Sequence, residues 1–171
     1  MVAVQAGSRS SQADSSRYSG GTMSSKIVLG WREAAALPAL GLAAIRAKID
    51  TGARSSALHV DSQWRFVEAG MPWVGFELTP GALGAGRVEA RAPVHDERWV
   101  TDSGGHRSSR VFIRTVLSLA GIEREIEINL ADRRGMRFPM LLGRTAVTGA
   151  FTVDPSRSFL HGRIRRRHPR V

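Results

Sequence analysis

The chain has 171 residues, of which 42% are hydrophobic, and a formal net charge of +10 at pH 7. This length accommodates one domain with a buried core. The chain has no cysteine, which excludes disulfides, thiolate zinc sites and a cysteine nucleophile. It also has no apolar run near the roughly 18–20 residues of a membrane span and no signal-peptide pattern, so we expect a cytoplasmic protein without membrane contact.

Much of the positive charge lies near the two ends. Residues 1–25 contain eight Ser and three Gly and are predicted to be a disordered tail, with Met23 as an alternative start. Residues 163–171 contain five Arg and no acidic residue and form a predicted basic tail. Nucleic-acid contact is expected only there, and a solvated end is the simpler interpretation. The folded domain is predicted over residues 26–162.

Short apolar runs between Gly and Pro turns predict a mostly β domain. The predicted strands comprise residues 27–29, 31–37, 45–50, 57–60, 64–67, 73–78, 88–94, 98–100, 111–119, 122–130 and 140–143. The clearest hairpin turns at Ala120-Gly121, after which isoleucines alternate with Glu123, Glu125 and Glu127. A short helix is predicted from Arg144 to about Thr148, followed by a last hairpin that joins residues 151–153 to residues 159–160.

The third predicted strand ends in the turn Asp50-Thr51-Gly52-Ala53. Gly52 permits a tight turn, and its small neighbours permit close approach of other backbone segments. An acid at the end of a buried strand, on a turn too cramped for large side chains, indicates a positioned carboxyl group. Taken alone, the pattern fits both a catalytic carboxyl and an ordinary turn.

A second motif, Leu141-Leu142-Gly143-Arg144, occurs late in the chain. In retropepsin-like peptidases a strand of this form packs under the catalytic turn and precedes a short helix. Residues 47–59 and 138–144 together resemble a bacterial retropepsin-like aspartic peptidase family called "ATP-dependent zinc protease", which accompanies RimK-type ATP-grasp glutamate ligases. The resemblance covers roughly residues 26–162. It implies a closed β-barrel with one short C-terminal helix and a peptidase or amidase activity.

The resemblance also implies that Asp50, Thr51 and Gly52 are catalytic. Hydrolysis of an amide by acid–base chemistry needs two carboxyls that share a proton. A two-fold homodimer would supply them by placing Asp50 of each subunit across the axis. Thr51 would brace the turn through its hydroxyl, and Gly52 would let the carboxyls approach each other.

A second turn within one chain, Asp102-Ser103-Gly104, is a weaker source of the other carboxyl. Only 52 residues separate it from Asp50, which is too few for a complete first lobe, and polar residues follow it. Residues 101–108 are better explained as a Gly-rich hairpin tip. That tip acts either as a flap over the substrate or as a plain loop.

An acidic peptide is the substrate class that the basic residues favour. Arg54 lies four residues after Asp50 and is placed to hold a substrate carboxylate. Other arginines could extend an acid-seeking cleft, namely Arg107, Arg133, Arg134 and Arg144. The predicted substrate-binding positions are Ala53, Arg54, His59, Gly104, Gly105 and Arg144.

Two alternatives belong to other functional classes. A zinc peptidase would need a dispersed site built from His59, His95, His106 and Asp96, because no His-Glu-x-x-His motif is present. The leading hypothesis involves neither metal nor cofactor. The other alternative is a catalytically silent module that keeps the fold and binds an acidic partner.

Overall fold

The computed structural model describes residues 25–80, 86–101 and 104–162. Both predicted tails, apart from residue 25, and the Asp102 of the disfavoured turn therefore lie outside the described residues. Within those ranges, no helix has the length and apolar character required to cross a membrane.

Strands dominate the described part of the chain, as the spacing of the apolar runs predicts. They are β1 (Ile27–Gly30), β2 (Arg32–Leu37), β3 (Leu42–Asp50), β4 (Ser56–His59), β5 (Ser62–Glu68), β6 (Met71–Leu78), β7 (Val88–Pro93), β8 (Asp96–Thr101), β9 (Arg107–Leu119), β10 (Ile122–Ala131), β11 (Met140–Gly143) and β12 (Phe151–Asp154). A 3-10 turn, Pro38–Leu40, follows β2, and the short helix α1 (Arg144–Val147) follows β11.

Six of these strands close into a barrel. Their order is β10-β4-β11-β3-β2-β9, and pairing of β9 with β10 closes the ring, while β8 extends the sheet beyond β9. Ile45, Leu58, Ile113, Ile128 and Leu142 come from five different barrel strands and are fully buried in its core. The expected mostly β, closed barrel with one short C-terminal helix is confirmed.

The hairpin of β9 and β10 shows how the period-two pattern builds this core. Gly121 takes a φ of +79° at the turn, and the strands pair antiparallel from Ile122 opposite Leu119. Ile126 and Ile128 point into the barrel, whereas Glu125 on the opposite face is exposed. The acidic row is therefore a solvated outer face along most of the strand.

A separate antiparallel sheet of β5, β6 and β7 is inserted between β4 and β8. Val74, Phe76 and Leu78 of β6 are fully buried and join the barrel core. On the other face the Trp64 ring lies against Gly75, where an added Cβ would come within 2.3 Å of the indole. Glycine at position 75 therefore makes room for a tryptophan on the outer face.

The predicted last hairpin is wrong. β12 pairs in parallel with β1, with Phe151 opposite Ile27, and residues 155–162 contain no strand. The backbone of this segment instead accepts a hydrogen bond from Trp31 N–H at Arg157 O (2.9 Å) and donates one from Phe159 N–H to Arg32 O (2.8 Å). The long-range parallel pairing satisfies the free edge of β1, which a local hairpin would leave open.

The side chain of Glu33 ties this C-terminal segment to the start of the barrel. Glu33 is fully buried, and its Oε1 accepts hydrogen bonds from Gly30 N–H (2.7 Å) and Leu160 N–H (3.1 Å). Its Oε2 accepts a third, from His161 N–H (3.4 Å). A buried carboxylate is tolerated here because backbone donors take the place of water.

We predict that Glu33→Gln lowers the free energy of unfolding by about 2–3 kcal/mol, because the amide loses one acceptor oxygen and turns an NH₂ group toward backbone N–H donors. Urea denaturation measures this. Glu123→Gln, on the exposed face of β10, is the matched control and should change stability by less than about 0.5 kcal/mol. Equal unfolding midpoints for the two variants would show that Glu33 does not hold the segment.

Candidate active site

The Asp50 carboxyl is fixed by its own turn. Asp50 is the last residue of β3, and its Oδ1 accepts hydrogen bonds from Gly52 N–H (3.1 Å) and Ala53 N–H (3.2 Å). Asp50 is half-buried, whereas Thr51 and Gly52 are exposed. The carboxyl is thus held in one orientation at the end of a core strand and remains reachable from outside.

The motif Leu141-Leu142-Gly143-Arg144 packs directly against this turn, as the resemblance implies. β11 pairs in parallel with β3, which places Gly143 opposite Asp50. An added Cβ at Gly143 would stand 2.5 Å from the carbonyl oxygen of Ser55, which is closer than any real contact. Only glycine allows the two backbones to lie this close.

Hydrogen bonds from β11 and α1 secure the other side of the turn. Gly143 N–H donates to Ser56 Oγ (3.2 Å), and Arg144 N–H donates to Ala53 O (2.9 Å). The Thr145 hydroxyl donates to Arg54 O (2.9 Å). The carbonyl groups that follow Asp50 therefore have partners, so the turn is a rigid support for the carboxyl.

Two of the predicted substrate residues lie beside the turn. Arg54 is exposed and lines a cleft of about 560 Å³, together with Ser55 and Thr145. Arg144 is exposed and directs its Nη1 toward Gly52 O at 3.4 Å. The remaining lining residues of this cleft belong to β8, β9 and β10, namely Arg98, Trp99, Val100, Thr101, Phe112, Arg114, Glu125, Ile126 and Glu127.

The hairpin tip and the predicted histidine occupy different places. Gly104 and Gly105 lie between β8 and β9, and Gly105 takes a φ of +83°. His59 is at the end of β4, where its Nδ1 accepts from Arg133 N–H (3.0 Å) and its Nε2 is 3.1 Å from Asp61 Oδ1. Because both ring nitrogens have protein partners, His59 orders the loop after β10. Its contact with substrate stays a prediction.

The four residues of the zinc alternative do not come together. His59 pairs with Asp61, whereas His95 lies 3.5 Å from Glu127 and accepts from the Nε of Arg114 at 3.2 Å. Across residues 25–80, 86–101 and 104–162, no three His, Asp or Glu side chains form a group that could hold a metal ion. The described geometry therefore does not assemble the dispersed site.

The arginines expected to extend the cleft have different environments. Arg107 stacks on the Trp99 ring at 5.2 Å, and Arg134 donates to both carboxylate oxygens of Asp132. The hydrogen bonds from Arg134 lower the pKa of Asp132 to about 2. Burial lowers the pKa of Arg133 and the nearby charge of Arg110 lowers it further, whereas the charge of Asp50 raises it.

Asn129 and Arg110 are components of the site region that the sequence pattern does not reveal. Asn129 continues the outward row of β10 glutamates but is only 2% exposed. Its Nδ2 donates to Ser56 O (2.6 Å), and its Oδ1 accepts from Arg110 Nη1 (3.1 Å). Its position in the strand predicts an exposed side chain, so only the folded arrangement reveals the contact with β4.

Comparison with known proteins agrees with this geometry. Residues 28–164 match the model of the RimB-like family, described as retropepsin-like aspartic endopeptidase RimB. The chain belongs to this RimB-like family. The match contains the Asp50 turn, the Gly143 strand and every strand of the barrel.

The curated relatives of this RimB-like chain are longer proteins. It is 40% identical over 139 residues to a "Probable alpha-L-glutamate ligase" of Shewanella pealeana, a match that covers 80% of this chain and 30% of the relative. A protein of the same name from Parasynechococcus marenigrum is 38% identical over 144 residues, covering 84% and 31%. The chain therefore spans about 30% of the length of the curated relatives it matches.

A solved structure shares the fold. The crystal structure of Lpg0085, a Legionella pneumophila protein of unknown function, superposes with a TM-score of 0.65 at 27% identity. The superposition covers 80% of this chain and 99% of Lpg0085. The barrel thus occurs as almost the whole of one solved chain and as a part of the longer relatives.

We predict that Gly143→Ala displaces the turn from β11 and destabilises the protein by about 1–3 kcal/mol, because the new Cβ has no space beside Ser55 O. Gly86→Ala is the matched control, since a Cβ at Gly86 meets no atom within 4 Å. Thermal unfolding followed by circular dichroism compares the two variants. An unchanged melting temperature for Gly143→Ala would contradict the close packing described above.

Proposed function

We propose that this RimB-like chain is an aspartic peptidase that acts as a homodimer, with Asp50 of each subunit forming one catalytic pair. The observation that carries the proposal is the Asp50 turn itself, in which a reachable carboxyl is oriented by two backbone N–H groups and supported by the Gly143 strand. Membership of a family of retropepsin-like aspartic endopeptidases supports the same reaction class.

In this mechanism the two carboxyls share one proton and hold a water molecule between them. The ionised carboxylate removes a proton from the water, whose oxygen attacks the scissile carbonyl carbon, while the protonated carboxyl donates its proton to the carbonyl oxygen. The tetrahedral intermediate then collapses: the C–N bond breaks, and the amine leaves with a proton. One water is consumed, and one carboxyl and one amine are produced without any metal or cofactor.

A second copy is the simplest source of the second carboxyl. The other Asp-x-Gly sequence, Asp102-Ser103-Gly104, falls between β8 and β9, and Gly104 belongs to the tip that joins these strands. No counterpart of the Gly143 strand packs against that tip in the described residues. A two-fold axis through the Asp50 turns would instead bring two equivalent, already supported carboxyls together.

The proposed substrate is an acidic peptide, and a glutamate-rich or glutamate-modified protein is the preferred case. Arg54 and Arg144 are exposed beside the turn and supply positive charge where a peptide would bind. The longer relatives carry the name of glutamate ligases, and a peptidase domain in such a chain would act on glutamate-containing chains. We expect this reaction in the cytoplasm.

We predict that Asp50→Asn lowers the rate of peptide hydrolysis by at least about 100-fold, because an asparagine neither takes a proton from water nor shares one with its partner. Cleavage of a glutamate-rich peptide, followed by mass spectrometry, measures the rate. Glu89→Gln, an exposed acid on the inserted sheet, is the charge-matched control and should keep full activity.

The same variant tests the shared site. Excess Asp50→Asn protein mixed with the unaltered protein should suppress hydrolysis more than dilution does, since mixed dimers carry only one carboxyl. Hydrolysis that survives Asp50→Asn would rule out the mechanism. Tight, salt-sensitive binding of the peptide by the unaltered protein without any cleavage would identify a silent binding module.

A further inference from the structure

Three arginines near the candidate site have carboxylate partners within the chain. Arg98 Nη2 lies 2.6 Å from Glu127, and Arg114 Nη1 lies 3.3 Å from Glu125. Arg134 is paired with Asp132 in the loop after β10. The positive charges of these three arginines are largely neutralised by their carboxylate partners, so we expect them to attract an incoming anion only weakly.

Arg110 and Arg133 differ from these arginines. In the part of the chain that the structure describes, neither guanidinium has a carboxylate within ion-pair distance. Both residues are half-buried, and the Nε of Arg133 is buried without a hydrogen-bond partner. Both residues lie against β4: Arg110 contacts Asn129, which donates to Ser56 O, and the backbone N–H of Arg133 donates to His59. The charges of Arg110 and Asp50 also act on the pKa of Arg133, the first lowering it and the second raising it.

Arg110 is held toward the turn by a chain of contacts that crosses the barrel end. Gly143 pairs with Asp50 and donates to Ser56 Oγ, and the carbonyl of Ser56 accepts from Asn129. Asn129 in turn accepts from Nη1 of Arg110, whose Nε donates to Ser108 Oγ at 3.1 Å. Two of its nitrogens are thus used to orient the group. The Nη2 donors take part in neither of these contacts.

Arg133 is fixed through its backbone. Its N–H donates to His59 Nδ1, and His59 is held by Asp61. The loop is therefore anchored at the backbone of Arg133, while its guanidinium has no ion-pair partner among the described residues. Two like charges held near each other without a carboxylate at ion-pair distance raise each other's free energy, and an anion placed between them relieves that repulsion.

We propose that Arg110 and Arg133 form a carboxylate-binding subsite beside Asp50, which selects a peptide carrying an acidic side chain at one position near the scissile bond. The under-used guanidinium donors match the geometry and charge of a carboxylate. This inference rests on the proposed function, because a carboxylate is the anion that an acidic peptide presents. Asn129 acts as a positioning residue for Arg110.

Binding to the uncleaving full-length Asp50→Asn protein tests the subsite without relying on turnover. The probes are a fluorescent hexaglutamate peptide and six versions in which one glutamate at a time is replaced by glutamine, measured by anisotropy at fixed ionic strength. We expect one or two positions to weaken binding by about 10-fold to 100-fold and the others to have little effect. Equal small losses at every position would overturn the subsite in favour of diffuse attraction.

Protein variants test which arginines cause the positional preference for glutamate. Arg110→Gln and Arg133→Gln should each remove the preference for glutamate at the sensitive position. Arg133→Lys should keep part of this preference, because lysine retains the positive charge but lacks the planar set of guanidinium N–H donors. Arg91→Gln, on the inserted sheet, removes the same charge and should leave the positional preference intact. Unchanged preference in both glutamine variants would overturn the assignment.

The peptide series decides the question even where a variant does not fold, because it alters only the ligand. Failure of the subsite is also separate from failure of the proposed function. Should the Asp50→Asn protein still hydrolyse peptides, the catalytic mechanism is wrong, yet the positional preference for glutamate can still be read from binding at low temperature or from cleavage rates. A preference that is absent while Asp50 proves essential would refute only the subsite.

Discussion

The close approach of β11 to the Asp50 turn is the constraint on which the site depends. Parallel pairing sets Gly143 opposite Asp50, and the absence of a side chain at Gly143 lets the Ser55 carbonyl lie where a Cβ would stand. Backbone donors then fix one carboxylate oxygen, while Arg144 and Thr145 satisfy the carbonyls that follow. The carboxyl is therefore held in a fixed position by the rigid barrel core, and acid–base catalysis requires such fixed positioning.

The rest of the fold supports this contact from two sides. The pairing of β9 with β10 closes the barrel, so β4 and β11 stay in register with β3. The buried Glu33 attaches the C-terminal segment to the β1–β2 junction at the start of the barrel. The inserted sheet of β5, β6 and β7 adds Val74, Phe76 and Leu78 to the same core and carries no part of the turn.

Local sequence patterns predict most of this architecture, because most of its elements are determined by residues that lie close together in the chain. The Asp50 turn, the Gly143 strand and the β9–β10 hairpin are each encoded within a few residues by small side chains or by period-two alternation. The parallel pairing of β1 with β12 joins segments more than 120 residues apart, which no local pattern records, and the expected last hairpin is wrong for that reason.

The same limit explains what the sequence pattern misses in the candidate site. Asn129 continues a row of exposed glutamates, and its burial depends on a contact with β4 that only the closed barrel creates. Likewise, the sequence positions of Arg110 and Arg133 do not indicate a binding role until the folded structure shows which side chains surround them. Arginine is common in this chain, and its count does not reveal which guanidinium lacks an acidic partner among the residues that the structure describes.

We propose that two copies of Asp50 form one catalytic pair. A crystal structure of the full-length protein with a bound peptide analogue measures this most directly, through the distance between the two Asp50 carboxyl groups across the dimer axis. We predict a separation of about 3 Å, as expected for two carboxyls that share a proton. Carboxyls separated by more than about 7 Å with the peptide bound would contradict it, because a hydrogen-bonded water could not bridge them.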